Sequence, residues 1–436
     1  MKRTILETLK QWKNDTGRRP LLMRGARQVG KTYIVEELGK SEFKNIVTIN
    51  FERNAEYKEV FSSLDPAKIL EKITLLSGEK IVVGETLLFL DEIQECPRAI
   101  SSLRYFYEEK KGLHVIGAGS LLEFALGEKE FRMPVGRVQY LYLQPLSFIE
   151  FLDAVGENAL AGHIADLSNI KNIPEVIHEK LIGLIKDYFV IGGMPSVVAE
   201  YISSHDIIKC QNIQRSIIDT YIDDFAKYAN KTKMPVLQKV FNSAARMIGQ
   251  KFVYSHVDNT IKSYKMKEAV NMLEMAGVLI RIKRSNGDGL PLEANVKDNF
   301  FKLLFLDVGL LHNALGIYRE TILSNDLSSV FRGAVAEQFI GQELAAYQDF
   351  YHKPSLYYWA REAKNSNAEL DYIFEKKGMI IPVEVKSGKK GKYKSLKMYI
   401  DKYHPVTALK VSQEIYEERD NFISLPFYGI YAFMKE

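Results

Sequence analysis

The sequence predicts an α/β protein: a parallel sheet flanked by helices, then a helical stretch, a winged helix and a second α/β module. Three observations carry this prediction. Gly25 to Thr32 fits G-x-x-x-x-G-K-[ST], between an apolar run, Leu21-Leu22-Met23, and a helical pattern from Tyr33 to Leu38. Leu87 to Leu90 form a second apolar run that ends in Asp91-Glu92. Short apolar runs alternate with helical patterns over residues 1 to about 145, the pattern of parallel strands with helices on both faces.

The first run and its loop make a strand–loop–helix unit suited to phosphate. Two glycines let the backbone turn tightly around an anion, and the loop amides and helix N-terminus then point at it. Gly25, Ala26, Arg27, Gln28, Val29, Gly30, Lys31, Thr32 and the following Tyr33 are the expected nucleotide contacts. Lys31 is expected to reach the β- and γ-phosphates, and Thr32 to place its hydroxyl on Mg²⁺. ATP and Mg²⁺ are thus the expected cofactors.

The second run suits a strand buried on both faces. Its carboxylates fall at the C-terminal edge, where open α/β sheets bind ligands. Asp91 is placed to orient the Mg²⁺ shell and Glu92 to polarise the attacking water.

The remaining strands of this part are expected at Asn45–Phe51, His114–Ala118 and Val138–Leu143, with the loop strand at Pro20–Arg24. Ser120 follows the fourth strand, placed either to sense a γ-phosphate or to cap a helix. Arg132 and Arg137 flank Met133-Pro134-Val135-Gly136. They either contact phosphate, in this subunit or a neighbour, or are solvated surface arginines.

Leu146 to about Tyr228 reads as helical, interrupted at Ile191-Gly192-Gly193-Met194-Pro195. Such a break in apolar helices is either a helix-to-helix turn or a lid contact to nucleotide. Residues from Met234 to about Ile282 read as a winged helix: a helix at Val236–Ile248, a short helix at Ser255–Ile261, an amphipathic helix at Met266–Ala276, and a strand leading to the turn Asn286-Gly287-Asp288-Gly289. That order reads DNA or docks proteins. Lys262, Lys265, Lys267, Arg281, Lys283 and Arg284 cluster in it.

In the last third, a helix at Gly333–Tyr347 carries Glu337. Strands follow at Ser355–Ala360, Glu369–Phe374 and Ile380–Val385, then a basic helix at Lys389–Ile400 and a strand at Ala408–Ser412. Glu384 and Lys386, two apart on a strand, share a face, and Asp371 joins them if the strands pair. Two carboxylates and a lysine then converge, an arrangement that either holds a divalent ion for phosphodiester hydrolysis or is a cross-strand charge pair. Glu337, Asp371 and Glu384 without a cation would repel one another in a partly buried pocket; a bound Mg²⁺ or Mn²⁺ is the simplest compensation, and Lys386 alone a partial one.

The bulk numbers bound the class. A chain of 436 residues with 46% hydrophobic content supports several packed cores. Its net charge of +4 neither demands nor excludes a nucleic-acid partner. Cys96 and Cys210 form no metal-ligand pair or disulfide framework, which fits a reducing compartment. Met1-Lys2-Arg3-Thr4 lacks the apolar core of a signal peptide, and the apolar stretch Leu181 to Ala199 contains Lys186 and Asp187. A cytoplasmic protein without a membrane partner is expected.

Taken together, the motifs resemble the widespread prokaryotic family of P-loop ATPases with an AAA+-like core, a helical lid, a winged helix and a C-terminal domain of PD-(D/E)XK nuclease fold. The resemblance spans nearly the full length. It rests on Gly25–Thr32, Leu88-Phe89-Leu90-Asp91-Glu92, Gly136-Arg137, Gln144-Pro145-Leu146-Ser147-Phe148, Gly192-Gly193-Met194-Pro195, Leu306-Asp307-Val308-Gly309-Leu310, Trp359, Glu369-Leu370-Asp371 and Val383-Glu384-Val385-Lys386. It implies an ATPase core at 1–145, a lid at 146–230, a winged helix at 231–290 and a restriction-endonuclease-like α/β domain at 291–436. It also implies that Asp91 and Glu92 serve hydrolysis, that Gly193 and Pro195 sit near adenine, and that Glu337, Asp371, Glu384 and Lys386 form a nuclease-like quartet. It identifies no arginine finger.

The leading expectation is an ATP-binding, ATP-hydrolysing switch with effector modules directed at nucleic acid, contacting DNA through the winged helix. A signalling scaffold whose same modules dock proteins is the alternative from another class. An ATP-regulated, metal-dependent DNA nuclease is a third. No protein partner is identifiable.

Overall fold

The five apolar runs of the first third become five strands: β1 (Leu21–Arg24), β2 (Asn45–Asn50), β3 (Thr86–Asp91), β4 (His114–Ala118) and β5 (Gln139–Tyr142). All pair in parallel, in the order β2-β3-β4-β1-β5. Every residue of β1, β3 and β4 is buried, which is why their sequences are continuously apolar rather than alternating. The computed structural model describes residues 1–120, 122, 136–228, 233–316, 333–361, 368–387 and 393–436. These form two compact units, residues 2–144 with 349–353, and residues 145–348 with 354–436 and Met1. Arg132 and the Met133-Pro134-Val135 turn lie outside the described residues.

In the first unit the sheet is flanked by α1 (Ile5–Asn14), α2 (Lys31–Glu42), α3 (Tyr57–Val60), α4 (Pro66–Ser77) and α5 (Pro97–Glu109). Local sequence fixes the ends of α4. Asp65 accepts a hydrogen bond from the Ala67 amide at 2.9 Å, Pro66 opens the helix, and Gly78 ends it with φ at 72°. Leu88 and Leu90 of β3 share a core with Ile69, Ile100, Leu103 and Phe106 from the helices. Each such burial is worth about 1.5–3 kcal/mol. Because every strand runs the same way, the C-terminal ends of β1 to β4 share one edge. Asn50 sits opposite Asp91, and Asp91 opposite Ala118.

The second unit begins with helices α6 (Phe148–Ala154), α7 (Asn158–Ile164), α8 (Leu167–Lys171), α9 (Glu175–Ile191), α10 (Pro195–Ser204) and α11 (Ile207–Tyr228). Then come α12 (Met234–Arg246), α13 (Tyr254–Val257) and α14 (Ser263–Met275), followed by strands β6 (Leu279–Ser285) and β7 (Val296–Phe305). After α15 (Val308–Leu315) and α16 (Gly333–Ala346) the chain forms β8 (Leu356–Ala360), β9 (Glu369–Lys376) and β10 (Met379–Val385). It ends with α17 (Lys394–Tyr403), β11 (Ala408–Ser412), β12 (Glu417–Arg419), β13 (Phe422–Pro426) and α18 (Ile430–Lys435). The eight strands make one mixed sheet, ordered β12-β13-β11-β10-β9-β8-β6-β7.

The Gly192-Gly193 break has a packing cause. A Cβ on Gly192 would stand 2.1 Å from Asp307 Oδ1, and one on Gly193 would stand 2.0 Å from the Leu146 carbonyl oxygen. The Gly193 amide donates to Asp307 Oδ2 at 2.6 Å, and the Gly193 carbonyl accepts from the Leu146 amide at 2.7 Å. Asp307 also accepts from the Leu310 amide at 3.0 Å, capping α15. Its carboxyl is pushed up to about 6 by burial, against the pull of these amides. Gln342 of α16 accepts from the Val308 amide at 2.8 Å and donates to the Tyr188 hydroxyl at 2.7 Å. The two sequence motifs around Gly193 and Asp307 are thus halves of one buried hydrogen-bonded junction.

Two features differ from expectation. The helix expected at Ser255–Ile261 is only Tyr254–Val257. Asp258 accepts from the Thr260 amide at 2.8 Å and from Lys239 at 2.5 Å, and this local turn ends the helix. The second difference concerns the wing. The β6–β7 hairpin forms, but β6 also pairs in parallel with β8, so the hairpin is the edge of the large sheet. A division at residue 290 falls in its connection. Its tip is covered: the Tyr399 hydroxyl of α17 donates to the Gly287 carbonyl at 2.6 Å, and Leu292 packs with Trp359, Leu396 and Tyr399. β12, β13 and α18 carry too few residues, or too mixed a pattern, to be read from sequence.

Candidate functional site

At the C-terminal edge of the parallel sheet, the chain leaves β1 through the glycine-rich loop and enters α2 at Lys31. Gly25 adopts φ 145° and Gly30 φ 95°. A Cβ on Gly25 would stand 2.4 Å from the Leu143 carbonyl oxygen, so this turn admits only glycine. Gln28 also has positive φ, at 66°. Arg3 holds the loop from behind, donating to the Val29 carbonyl at 3.1 Å and the Gln144 carbonyl at 2.6 Å. Nothing in the sequence around Arg3 signals this role.

Lys31 is buried and donates to the carbonyls of Gly25 at 3.0 Å and Ala26 at 2.8 Å. Burial pulls its ammonium down to about 8, although Glu92 and Asp91 act the other way. The side chain thus rests against the loop's own carbonyls, in the hollow a phosphate would fill. Tyr33, on the first turn of α2, is 46% exposed.

Asp91 and Glu92 close the opposite side. The Thr32 hydroxyl donates to Asp91 Oδ2 at 3.2 Å, and Asn50 Nδ2 donates to the same oxygen at 3.1 Å. Burial, then the neighbouring Glu92, raise the Asp91 carboxyl above its usual value. Glu92 adopts φ 48° and ψ 45°, a left-handed turn straight out of β3, and Gln94 donates to its Oε2 at 2.7 Å. Asn50 and Gln94 were not singled out from sequence. Asn50 has a findable signal, since it ends β2 level with Asp91. Gly119 lies beside Gln94, where a Cβ would meet Gln94 Oε1 at 2.1 Å, and Ser120 is buried next to it.

Thr32 and Asp91 thus offer a hydroxyl and a carboxylate together, a donor set suited to Mg²⁺. Arg27 lies 3.9 Å from Glu52, and Arg137 pairs with Glu108 at 2.8 Å on the surface. Pro195, expected beside adenine, opens α10 in the second unit.

The four residues of the expected nuclease-like site do come together. Asp371 on β9 and Glu384 on β10 lie at adjacent levels of an antiparallel pair. Asp371 Oδ2 accepts from the Val385 amide at 2.7 Å, and Lys386 lies 2.5 Å from Glu384 Oε1. Burial, then the neighbouring Asp371 carboxylate, push the Glu337 carboxyl of α16 well up. Burial, then Asp371, raise Glu384 to about 7. A fifth residue, absent from the sequence reading, sits among them. Lys302 Nζ is 2.7 Å from Glu369, 3.7 Å from Glu337 and 4.0 Å from Asp371. Burial pulls Lys302 down, but Glu337, Asp371 and Glu369 outweigh it and hold the ammonium charged. Among the described residues, no three carboxylate, imidazole or thiol groups are arranged to hold a metal ion. The expected ligand set Glu337, Asp371 and Glu384 is not such a group, and the Lys302 ammonium lies within 4.0 Å of Glu337 and Asp371.

The basic residues expected to line a winged helix divide into two sets. Arg281 pairs with Glu274 at 2.6 Å, Lys283 pairs with Glu293, and Arg284 donates to the Ala360 carbonyl at 3.0 Å. Lys262, Lys265 and Lys267 on or beside α14 are exposed, and Tyr264 among them is 62% exposed. No single helix among the described residues is long and apolar enough to cross a membrane; α9 and α10 together are apolar enough but bend by 120° at the glycine pair.

Comparisons with known proteins bear on this geometry. Residues 17–152 match the AAA domain family. Residues 182–321 and 332–428 match two domains of unknown function, DUF8612 and DUF4143. No curated protein matches the chain. Among solved structures, the Walker-type ATPase PABY2304 of Pyrococcus abyssi is 14% identical, covering 71% of this chain and 94% of its own, at a TM-score of 0.45. The ORC2 protein of Aeropyrum pernix, solved as ADPNP and ADP complexes, is 11% identical over 74% of this chain and 96% of its own, at 0.34. The RuvB Holliday junction branch migration motor of Thermotoga maritima is 18% identical over 63% of this chain and 87% of its own, at 0.26. The parallel sheet, its loop and the AAA match together support a P-loop ATPase core that binds and hydrolyses ATP.

Proposed function

We propose that the protein is an ATP-driven switch that binds ATP with Mg²⁺ at Gly25–Thr32 and hydrolyses it with Glu92, with its helix-turn-helix directed at nucleic acid. The observation that carries the reading is the meeting of Thr32, Asp91 and Asn50 at one sheet edge, within 3.2 Å contacts, with Glu92 turned out beside them. The loop amides cradle the phosphates. Lys31 exchanges the Gly25 and Ala26 carbonyls for phosphate oxygens, a stronger charged partner. Thr32 and Asp91 hold the metal, which when bound neutralises charge developing on the phosphates. Asn50 fixes the Asp91 carboxylate. Glu92 accepts a proton from the attacking water once it leaves Gln94.

The test separates binding from turnover. Lys31→Ala should lose most ATP affinity by calorimetry. Glu92→Gln should keep affinity and lose turnover by roughly 10²-fold or more, because an amide is a far poorer base. Equal ATP binding by wild type and Lys31→Ala would sink the nucleotide assignment; unchanged hydrolysis in Glu92→Gln would remove Glu92 from its role.

A second reading, protein docking by the helix-turn-helix, is favoured by the covered hairpin tip and by the pairing of Arg281, Lys283 and Arg284 within the unit. A hairpin held this way is less available to a DNA backbone.

A further inference from the structure

The carboxylate pocket of the second unit holds cations of its own. Glu337, Glu369, Asp371 and Glu384 bring four carboxyls together. Three ammoniums face them. Lys302 stands 2.7 Å from one Glu369 oxygen, Lys251 stands 3.3 Å from the other, and Lys386 stands 2.5 Å from Glu384. Lys302 alone lies within 4.0 Å of three of the four carboxyls, Glu337, Glu369 and Asp371.

We infer that the Lys302 ammonium is the resident cation of this pocket, standing where a divalent metal would have to bind, so that the pocket is a metal-independent tie between β7, α16 and β9. Magnesium needs several oxygens at about 2.0–2.1 Å in near-octahedral array. The inward oxygens of Glu337, Glu369 and Asp371 already face Lys302, and the second Asp371 oxygen is taken by the Val385 amide at 2.7 Å. Of these four carboxyls, Glu384 alone has a buried oxygen, Oε2, without a hydrogen-bond partner, and one oxygen holds no metal. Adding a dication beside a side chain that is 1% exposed sets like charges close together where water cannot screen them. The Lys302 backbone is bridged to that of Lys251, and its ammonium lies 5.3 Å from the Tyr358 ring centroid.

Mn²⁺ binding by the full-length, nucleotide-free protein tests this, read as loss of the free Mn²⁺ paramagnetic resonance signal. Leaving nucleotide out separates the result from the fate of the ATP reading. In the wild-type background, Asp371→Asn and Glu384→Gln should leave Mn²⁺ binding unchanged. Lys302→Met, similar in length and uncharged, should gain one Mn²⁺ site at least about tenfold tighter than any in the wild type, and adding Asp371→Asn should abolish it. Wild-type Mn²⁺ binding that falls with Asp371→Asn or Glu384→Gln would overturn the inference, as would a folded Lys302→Met protein that gains no site. If Lys302→Met does not fold, the wild-type, Asp371→Asn and Glu384→Gln comparison still decides it.

Discussion

Asn50 donates its side-chain amide to Asp91 across 3.1 Å, from the end of the neighbouring strand. The same Asp91 oxygen accepts the Thr32 hydroxyl, so a strand-end asparagine helps set the carboxylate on which metal placement depends. Asn50→Ala should therefore lower ATP turnover, by roughly 10-fold as the outer partner of a metal ligand, while leaving nucleotide-free folding close to wild type. Steady-state hydrolysis against Mg²⁺ concentration checks this. An unchanged Mg²⁺ requirement would show that Asn50 does not orient Asp91.

ATP affinity should depend on pH through Lys31. Without nucleotide its ammonium titrates at about 8. Bound phosphates favour the charged form and raise that value. Affinity is then full below pH 8 and weakens as pH rises past it, and binding near pH 8 takes up a proton. Calorimetry in two buffers of different ionisation enthalpy measures that proton directly. Affinity that stays flat on raising the pH through and beyond 8 would refute the assignment.

Asp307→Asn should destabilise the second unit by about 1–3 kcal/mol at neutral pH. The carboxylate accepts amides from Gly193 and Leu310, and an asparagine would turn an NH₂ toward one of them. The pH dependence has a definite sign. Because the folded-state value, about 6, lies above the ordinary one, the folded protein holds this proton more tightly. A separate, proton-linked contribution, which asparagine lacks, is fully present at pH below the unfolded value and is lost as pH rises through 6, so the gap between the two proteins widens toward acid pH. Urea unfolding of both proteins at several pH values gives the loss; indistinguishable midpoints would refute it.

DNA binding, if it occurs, should run through Lys262, Lys265 and Lys267, which are exposed, and not through Lys283, which is paired with Glu293. Replacing the first three with alanine should lower the salt slope of binding by roughly 2–3. Lys283→Ala should leave it nearly unchanged. Gel shifts across salt concentrations decide, and no shift by the wild type even at low salt would favour protein docking.

The first unit was legible from sequence because its signals are local. A glycine-rich turn, a buried apolar strand and a carboxylate pair declare themselves within a few residues, and the strands Asn45–Asn50 and His114–Ala118 fall where their apolar runs put them. The partners that tune the site were not legible. Arg3 and Gln94 act through tertiary geometry or a single side-chain bond, which leaves no period in the sequence. The second unit shows the same limit more sharply. Asp371, Glu384 and Lys386 were found because their spacing implies a shared face, and Glu337 through the family resemblance, but Lys302 lies on a strand thirty-five residues before Glu337, beside ordinary apolar neighbours. The covered hairpin tip was missed because the contact between Tyr399 and Gly287 joins residues 112 apart.

The sheet that unites β6 and β7 with β8 to β13 has a practical consequence for anyone dissecting this protein. A chain cut after residue 290 would not release a self-sufficient reading head. It would leave β6 with an unpaired edge on either side, and the remainder would begin with β7 stripped of its only neighbour. Both fragments would present sticky strand edges and be prone to aggregate.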